Sequence, residues 1–242
     1  MYVNAPRYLL RKHCALKLIR DLKPSKALEI GCGAGDFCET VYKMGFDIQG
    51  VDFSKEAVDL CQERLKNVGG DKKIRFGFID FWQIVETFDV IFFFEVLEHI
   101  GDDRAAIAKI YRLLNPGGHL ILSVPAHRQW FGPSDRAVGH FRRYDKKDIL
   151  TLLSGNHFKI QTIWSYGFPL ANLTEMVRNL VAAGKITVDK EEGTRQSGID
   201  RRIESHFRFF LNDVFFYPLC ILQMPFLKTD WGTGYIIRAV RE

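Results

Sequence analysis

Three glycines at alternate positions follow a short apolar stretch and an acid, in Leu28-Glu29-Ile30-Gly31-Cys32-Gly33-Ala34-Gly35. Glycine lets a strand-to-helix turn bend sharply and lets a ligand lie against bare main chain. A dinucleotide-binding turn reads G-x-G-x-x-G, with its last glycine one residue later, so the G-x-G-x-G spacing here leaves no pyrophosphate cradle. Asp52 ends a second apolar stretch, in Gly50-Val51-Asp52-Phe53-Ser54. A carboxylate there can accept hydrogen bonds from both hydroxyls of a ribose, and the ring of Phe53 can lie against a purine face. Asp80-Phe81 closes a third stretch, where the acid can accept from an exocyclic amino group.

Two further sets could do chemistry on a second molecule. Glu95-Val96-Leu97-Glu98-His99 follows a fourth apolar stretch. His99 is a candidate general base for a hydroxyl or amine. Two carboxylates and an imidazole (Glu95, Glu98, His99) can also hold Mg²⁺ against a substrate oxygen, with His127 or His140 as a fourth ligand. The competing reading has Glu98 and His99 capping a helix and bridging neighbours, and we expect no metal. After a fifth stretch come Pro125-Ala126-His127, Asp135 and His140-Phe141-Arg142-Arg143-Tyr144-Asp145. His127 and His140 sit where an acceptor should enter, as candidate catalytic and substrate-binding groups. Arg143, with Arg142 beside it, can grip a phosphate or carboxylate bidentately, and Tyr144 joins that substrate set. The alternative pairs Arg142 and Arg143 with Asp135 and Asp145 to fix the loop.

Short apolar runs alternating with helical periodicity must position these groups, which predicts βαβ units and a mostly parallel sheet. Strands are expected at 27–30, 46–51, 74–79, 88–94, 119–124 and 158–164, with a last one at 235–240. Helices are expected over 8–22, stopped by Pro24, and over about 35–44. Ser54 should cap a third reaching about Lys66, Asp102 a fourth ending before the Asn115-Pro116-Gly117-Gly118 turn, and Asp145 a fifth reaching Leu153. Residues 167–230 are too long for a hairpin and predict a mainly helical insertion or lid, with 184–199 as a mobile loop. Its aromatic residues, among them Phe168, Phe207, Phe209, Phe210 and Phe215, together with Trp164 and Tyr166, would cover an apolar acceptor or touch a membrane surface.

Together the acid-x-glycine loop, Asp52, Asp80 and the Asn-Pro-Gly-Gly turn resemble the class I S-adenosylmethionine-dependent methyltransferases. The resemblance covers 24 to about 165 and returns at 233–241. It implies an α/β, Rossmann-like, doubly wound seven-stranded sheet with its last strand antiparallel, in one domain over 1–242. It further implies that S-adenosyl-L-methionine is the cofactor and S-adenosyl-L-homocysteine the product. Glu29, Gly31, Cys32, Gly33, Gly35 and Glu95 would lie at the methionine end, Glu29 alternatively orienting the loop backbone. Asp52 and Phe53 would lie at the ribose and Asp80 and Phe81 at the adenine, and Tyr8 of the N-terminal helix would either close over the ligand or simply pack. The E-x-x-E-H string is similar to that of the ubiquinone-biosynthesis O-methyltransferases and the plant small-RNA 2′-O-methyltransferases, which hold a divalent metal. It also occurs in metal-free relatives. The V-P-A-H and H-x-R-R-Y motifs resemble a bacterial subgroup found near glycan and lipid biosynthesis.

Composition narrows the rest. The 242 residues carry a net charge of +5, which permits an anionic small-molecule, glycan or lipid-linked acceptor and disfavours nucleic acid, no basic stripe being present. Five cysteines with no C-x-x-C pair argue against a disulfide framework or zinc site and for a reducing, cytoplasmic setting. The start lacks a signal-peptide pattern, and the apolar run 207–226 is broken by Arg208, Asp213 and Pro218, so we read an interfacial cap rather than a span. Three functions compete with methyl transfer to an oxygen or nitrogen of a small molecule. They are RNA methylation, a nicotinamide oxidoreductase and a non-catalytic subunit that binds the cofactor.

Overall fold

The computed structural model describes residues 6–66, 73–183 and 213–242. Seven strands form one sheet in the order β3-β2-β1-β4-β5-β7-β6. They are β1 (Lys26–Ile30), β2 (Asp47–Asp52), β3 (Ile74–Phe78), β4 (Phe88–Phe94), β5 (Leu114–Pro125), β6 (Phe158–Tyr166) and β7 (Gly234–Arg241). The first five run parallel, and β7 lies antiparallel between β5 and β6. The carboxyl ends of β1, β2, β4 and β5 therefore open on one edge, where ligands bind in open α/β sheets.

Helices cover both faces, so β4 can be apolar without alternation from Val90 to Phe94. Val90, Phe92 and Phe94 face one core, with Phe37 and Val41 of α2 (Asp36–Lys43) and Cys14 and Ile19 of α1 (Pro6–Ile19). Ile91 and Phe93 face the other, with Ile107 and Ile110 of α4 (Asp103–Leu113) and Ile149 of α6 (Lys146–Ser154). Phe92 and Phe93 are fully buried, each stabilising the fold by about 1.5–3 kcal/mol. On the expected positions, the Ser54 hydroxyl accepts from Ala57 N at the start of α3 (Lys55–Lys66), and the Asp102 carboxylate accepts from Ala105 N at the start of α4.

Three local expectations change. The strand expected at 119–124 begins at Leu114, and the Asn-Pro-Gly-Gly stretch is a bulge within it: Phe88 faces Leu114 while Val90 already faces His119. Asp145 stands at the N-cap of α6 without a side-chain cap, because its carboxylate accepts from Arg128 N instead. The third strand, expected at 74–79, ends at Phe78, whose ring is 59% exposed. Between β6 and β7 the described residues hold α7 (Leu170–Ala183), α8 (Asp213–Leu222) and a short 3₁₀ turn, Met224–Phe226. Gln223 ties this part down, donating to Leu10 O of α1 and accepting from Gly167 N. The loop expected at 184–199 and residues Phe207, Phe209 and Phe210 lie outside the described residues. No helix among the described residues is long and apolar enough to cross a membrane.

Candidate active site

The glycine turn is built to hold itself open. Gly31, Gly33 and Gly35 all have positive φ, at 74°, 52° and 75°, where side chains with a Cβ are strained. A Cβ on Gly31 would also lie 2.5 Å from Cγ2 of Val96. The turn's amides are used internally: Gly31 N and Cys32 N donate to Val51 O, Gly35 N to Cys32 O, and Gly33 N to Oδ2 of Asp52 at 2.9 Å. A pyrophosphate needs amides as donors, and these four are already engaged.

Asp52 anchors this turn from the tip of β2. Its other oxygen accepts from Ser54 N at 2.9 Å. A carboxylate has about four lone-pair sites, so two bonds leave capacity for sugar hydroxyls. Burial pushes its carboxyl above the usual range, partly offset by the Ser54 and Gly33 amides. Phe53 is 49% exposed beside it, free to meet a flat ring. Glu29 lies beneath the turn and accepts from Cys38 Sγ at 2.8 Å. Cys32 is buried, so only its backbone could meet a ligand.

At the adenine side the expectation changes. Asp80 is exposed and caps the turn after β3 by accepting from Trp82 N. Phe81 is buried against Phe93, so its ring belongs to the core and not to a ligand. The exposed rings near that edge are Phe78 and Trp82, neither singled out by spacing.

Glu95 is the knot of the site. It has φ 54° at the end of β4 and is gripped from three elements. Arg7 of α1 lies 2.9 Å from Oε2, and the Ser123 and Tyr166 hydroxyls donate to Oε1 at 2.9 and 3.0 Å. Arg11 adds charge at 4.0 Å. Burial works against its charge, yet Arg7 and Arg11 hold the carboxyl down at about 2. These partners take Glu95 out of any metal set. Of the two readings for Tyr8, closure over a ligand or packing, the structure has it packed in the core.

A carboxyl depressed in the fold adds stability that is present above its unfolded pKa and lost as pH falls through its folded one. Between pH ~4.5 and ~2, Glu95 should therefore forfeit ~3 kcal/mol. Urea unfolding at stepped pH checks this: the wild type should lose stability across that window more steeply than Glu95→Gln. Parallel curves would refute it.

Glu98, His99 and His140 come together, with one ligand atom of each within 4.8 Å of the others. Glu98 is fully buried, and both its oxygens lack a hydrogen-bond partner. Burial and the charge of Glu95 push its carboxyl well above the usual range. Burial lowers His99 to about 4, and its ring meets that of His140 edge-on at 4.7 Å. His127 is elsewhere, with φ 63° and its ring against Trp130 and Tyr235. It is not part of the cluster.

Of the two readings for the arginines, Arg143 takes the loop-fixing one with Asp135, whereas Asp145 accepts from Arg128 N and Arg142 finds Asp103. Arg143 is 1% exposed, its guanidinium spanning both oxygens of Asp135 and an oxygen of Glu175. Arg142 pairs with Asp103 and Gly101 O. Tyr144 is buried and donates to Asp103 at 3.0 Å. Neither Arg143 nor Tyr144 presents its polar end to an incoming molecule: Tyr144 is bonded to an internal carboxylate, and Arg143 to two, with its remaining Nη1 buried. Arg7, Arg11 and Glu175 were missed; their partners are distant in sequence, and no local motif marks them.

A family model described as a methyltransferase domain matches residues 5–163. Norajmaline N-methyltransferase of Rauvolfia serpentina is 30% identical over 138 residues, covering 55% of this chain and 46% of that protein. A ubiquinone biosynthesis O-methyltransferase of Aliivibrio fischeri is 31% identical over 118 residues, covering 47% and 50%. The chain thus spans about half the length of the curated relatives it matches. Among solved structures, the N-methyltransferase NodS from Bradyrhizobium japonicum WM9, in complex with S-adenosyl-L-homocysteine, superposes with a TM-score of 0.57 at 25% identity, covering 70% of this chain and 84% of that one. With more than half of its length matched, and with an open glycine turn, an acid at the neighbouring strand tip and an antiparallel seventh strand, the chain belongs to the class I S-adenosylmethionine-dependent methyltransferases.

Proposed function

We propose that the chain transfers a methyl group from S-adenosyl-L-methionine to an oxygen or nitrogen of a small molecule. One observation carries this: four amides of the glycine turn are engaged internally while Asp52, bound to it, keeps lone pairs for a ribose. That donor set fits a nucleoside without phosphates. The methionine end is zwitterionic, and Glu95 with Arg7 and Arg11 offers both signs of charge there. When bound, the cofactor supplies a methyl carbon on a sulfonium that leaves as a neutral thioether. What remains for this chain is to align the acceptor, the largest contribution, and to take its proton. His140, in the cluster with Glu98 and His99, is the proposed proton acceptor.

Arg142 and Arg143 are both ion-paired, so the ground for an anionic glycan or lipid acceptor weakens. A neutral hydroxyl or amine fits better. Nothing favours RNA. The finer placement, with residues 167–230 covering the acceptor, rests on α7 and α8 lying in that stretch.

A second reading has one observation behind it. A buried carboxylate with two unpartnered oxygens beside two imidazoles also suits a divalent cation, which would displace the Glu98 proton. Calorimetry tests both readings. S-adenosyl-L-homocysteine should bind with one-to-one stoichiometry and NAD should not; the reverse would end the proposal. In the same apparatus, Mn²⁺ binding to chelator-treated protein that disappears in Glu98→Gln would establish the cation, and no heat would remove it.

A further inference from the structure

The buried charges around Arg143 form a chain that ends on an imidazole. Glu175 lies on α7, Asp135 on α5 (Pro133–Ala137), and Arg143 bridges them from the stretch before α6. Asp135 Oδ1 then meets Nδ1 of His140 at 2.8 Å, and its Oδ2 accepts from Gly132 N at 2.8 Å. Ser134 reaches Glu175 at 3.3 Å, closing the set from the α5 side. All three charged groups are at least nine-tenths buried. The far nitrogen of His140, Nε2, points into the cluster, 3.8 Å from Glu98.

We propose that Arg143 and Glu175 are positioning residues that hold Asp135 so that His140 carries its proton on Nδ1 and keeps the Nε2 lone pair for the site. An ionised carboxylate only accepts, so the 2.8 Å contact requires the hydrogen on Nδ1. Burial works against that charge, but His140, Arg143 and the Gly132 amide together hold the Asp135 carboxyl below the usual range. Arginine suits the task because its planar fork can span a carboxylate and still reach a second acid, which the single ammonium of lysine cannot do in one geometry. Because Glu175 belongs to α7, the ring's orientation is tied to the stretch between β6 and β7. That His140 takes a proton rests on the methyl-transfer reading; its tautomer does not.

Nitrogen-15 correlation spectra of histidine-labelled protein at neutral pH read the tautomer directly. A charge-assisted hydrogen bond favours one form by about tenfold or more, so wild-type His140 should appear in the Nδ1–H form at about that excess. Asp135→Asn and Arg143→Lys should bring the two forms to within about threefold of each other. Glu175→Gln keeps the shape at the α7 end and should shift the balance in the same direction by less. A wild-type ring carrying hydrogen on Nε2 at neutral pH, whether alone or together with Nδ1 as the imidazolium, would overturn the proposal without any variant. So would folded Asp135→Asn and Arg143→Lys proteins whose His140 signals do not move. S-adenosyl-L-homocysteine affinity on the same samples separates the two ideas: a chain that ignores this ligand but shows the Nδ1–H ring loses the methyl-transfer reading and keeps this one.

Discussion

Replacing Arg143 by alanine should cost about 3–5 kcal/mol of folding free energy, because removing one partner of a buried ion pair leaves charge that nothing compensates. The cost arises on the acids. Asp135 and Glu175 are 2% and 6% exposed, and both would remain in place with the guanidinium gone. Its sequence neighbour supplies the control. The side chain of Arg142 is 30% exposed and pairs with Asp103 at the surface, a class of ion pair worth about 0–1 kcal/mol. Urea unfolding of the two alanine variants should separate them by several-fold in destabilisation. A loss under about 1 kcal/mol for Arg143→Ala would mean that the guanidinium is not held as described and is open to an acceptor after all. The double variant Arg143→Met, Glu175→Leu should recover part of the loss, since replacing both members of a buried pair by apolar groups is often neutral.

Asp52→Ala should weaken S-adenosyl-L-homocysteine binding at least about a hundredfold, from two lost hydrogen bonds to a charged acceptor at about 1.5–3 kcal/mol each. Two effects add. The sugar loses its acceptor, and Gly33 N loses the oxygen that holds it at 2.9 Å, so the glycine turn loosens as well. Asp52→Asn divides them. An amide keeps the shape but turns one acceptor into a donor, so affinity should still fall while the turn stays ordered. Calorimetry on folded protein is the measurement, and an affinity within threefold of wild type would remove Asp52 from the site.

Whatever depended on neighbours in sequence could be read there. The strand at Phe88–Phe94 ends where its apolar run Val90–Phe94 does, because a strand covered on both faces leaves no alternation to read. The glycine turn and Asp52 were legible because spacing alone sets where a strand tip meets a turn. Roles set by distant partners were not. The pairing of Arg143 with Asp135, eight residues away, is one of two readings open in the sequence, but Glu175, its other partner, is 32 residues away and unmarked. Phe81 and Phe53 look alike as rings after an acid, yet one turns into the core and the other out, 8% and 49% exposed. Glu95 suggests a metal ligand until Arg7, 88 positions earlier in the chain, is placed against it.

The position of β7 sets an order on how the molecule can be made. β6 pairs with β7, and β7 also fills the place beside β5. A ribosome therefore delivers β5 and β6 as two raw edges separated by a gap one strand wide. They must wait, unjoined, through the whole of residues 167–233. Pairings so far apart in sequence form slowly and expose sticky edges meanwhile. The parallel half of the sheet, with the glycine turn and Asp52, has no such wait, so that half can take shape before the β5-β7-β6 half is complete.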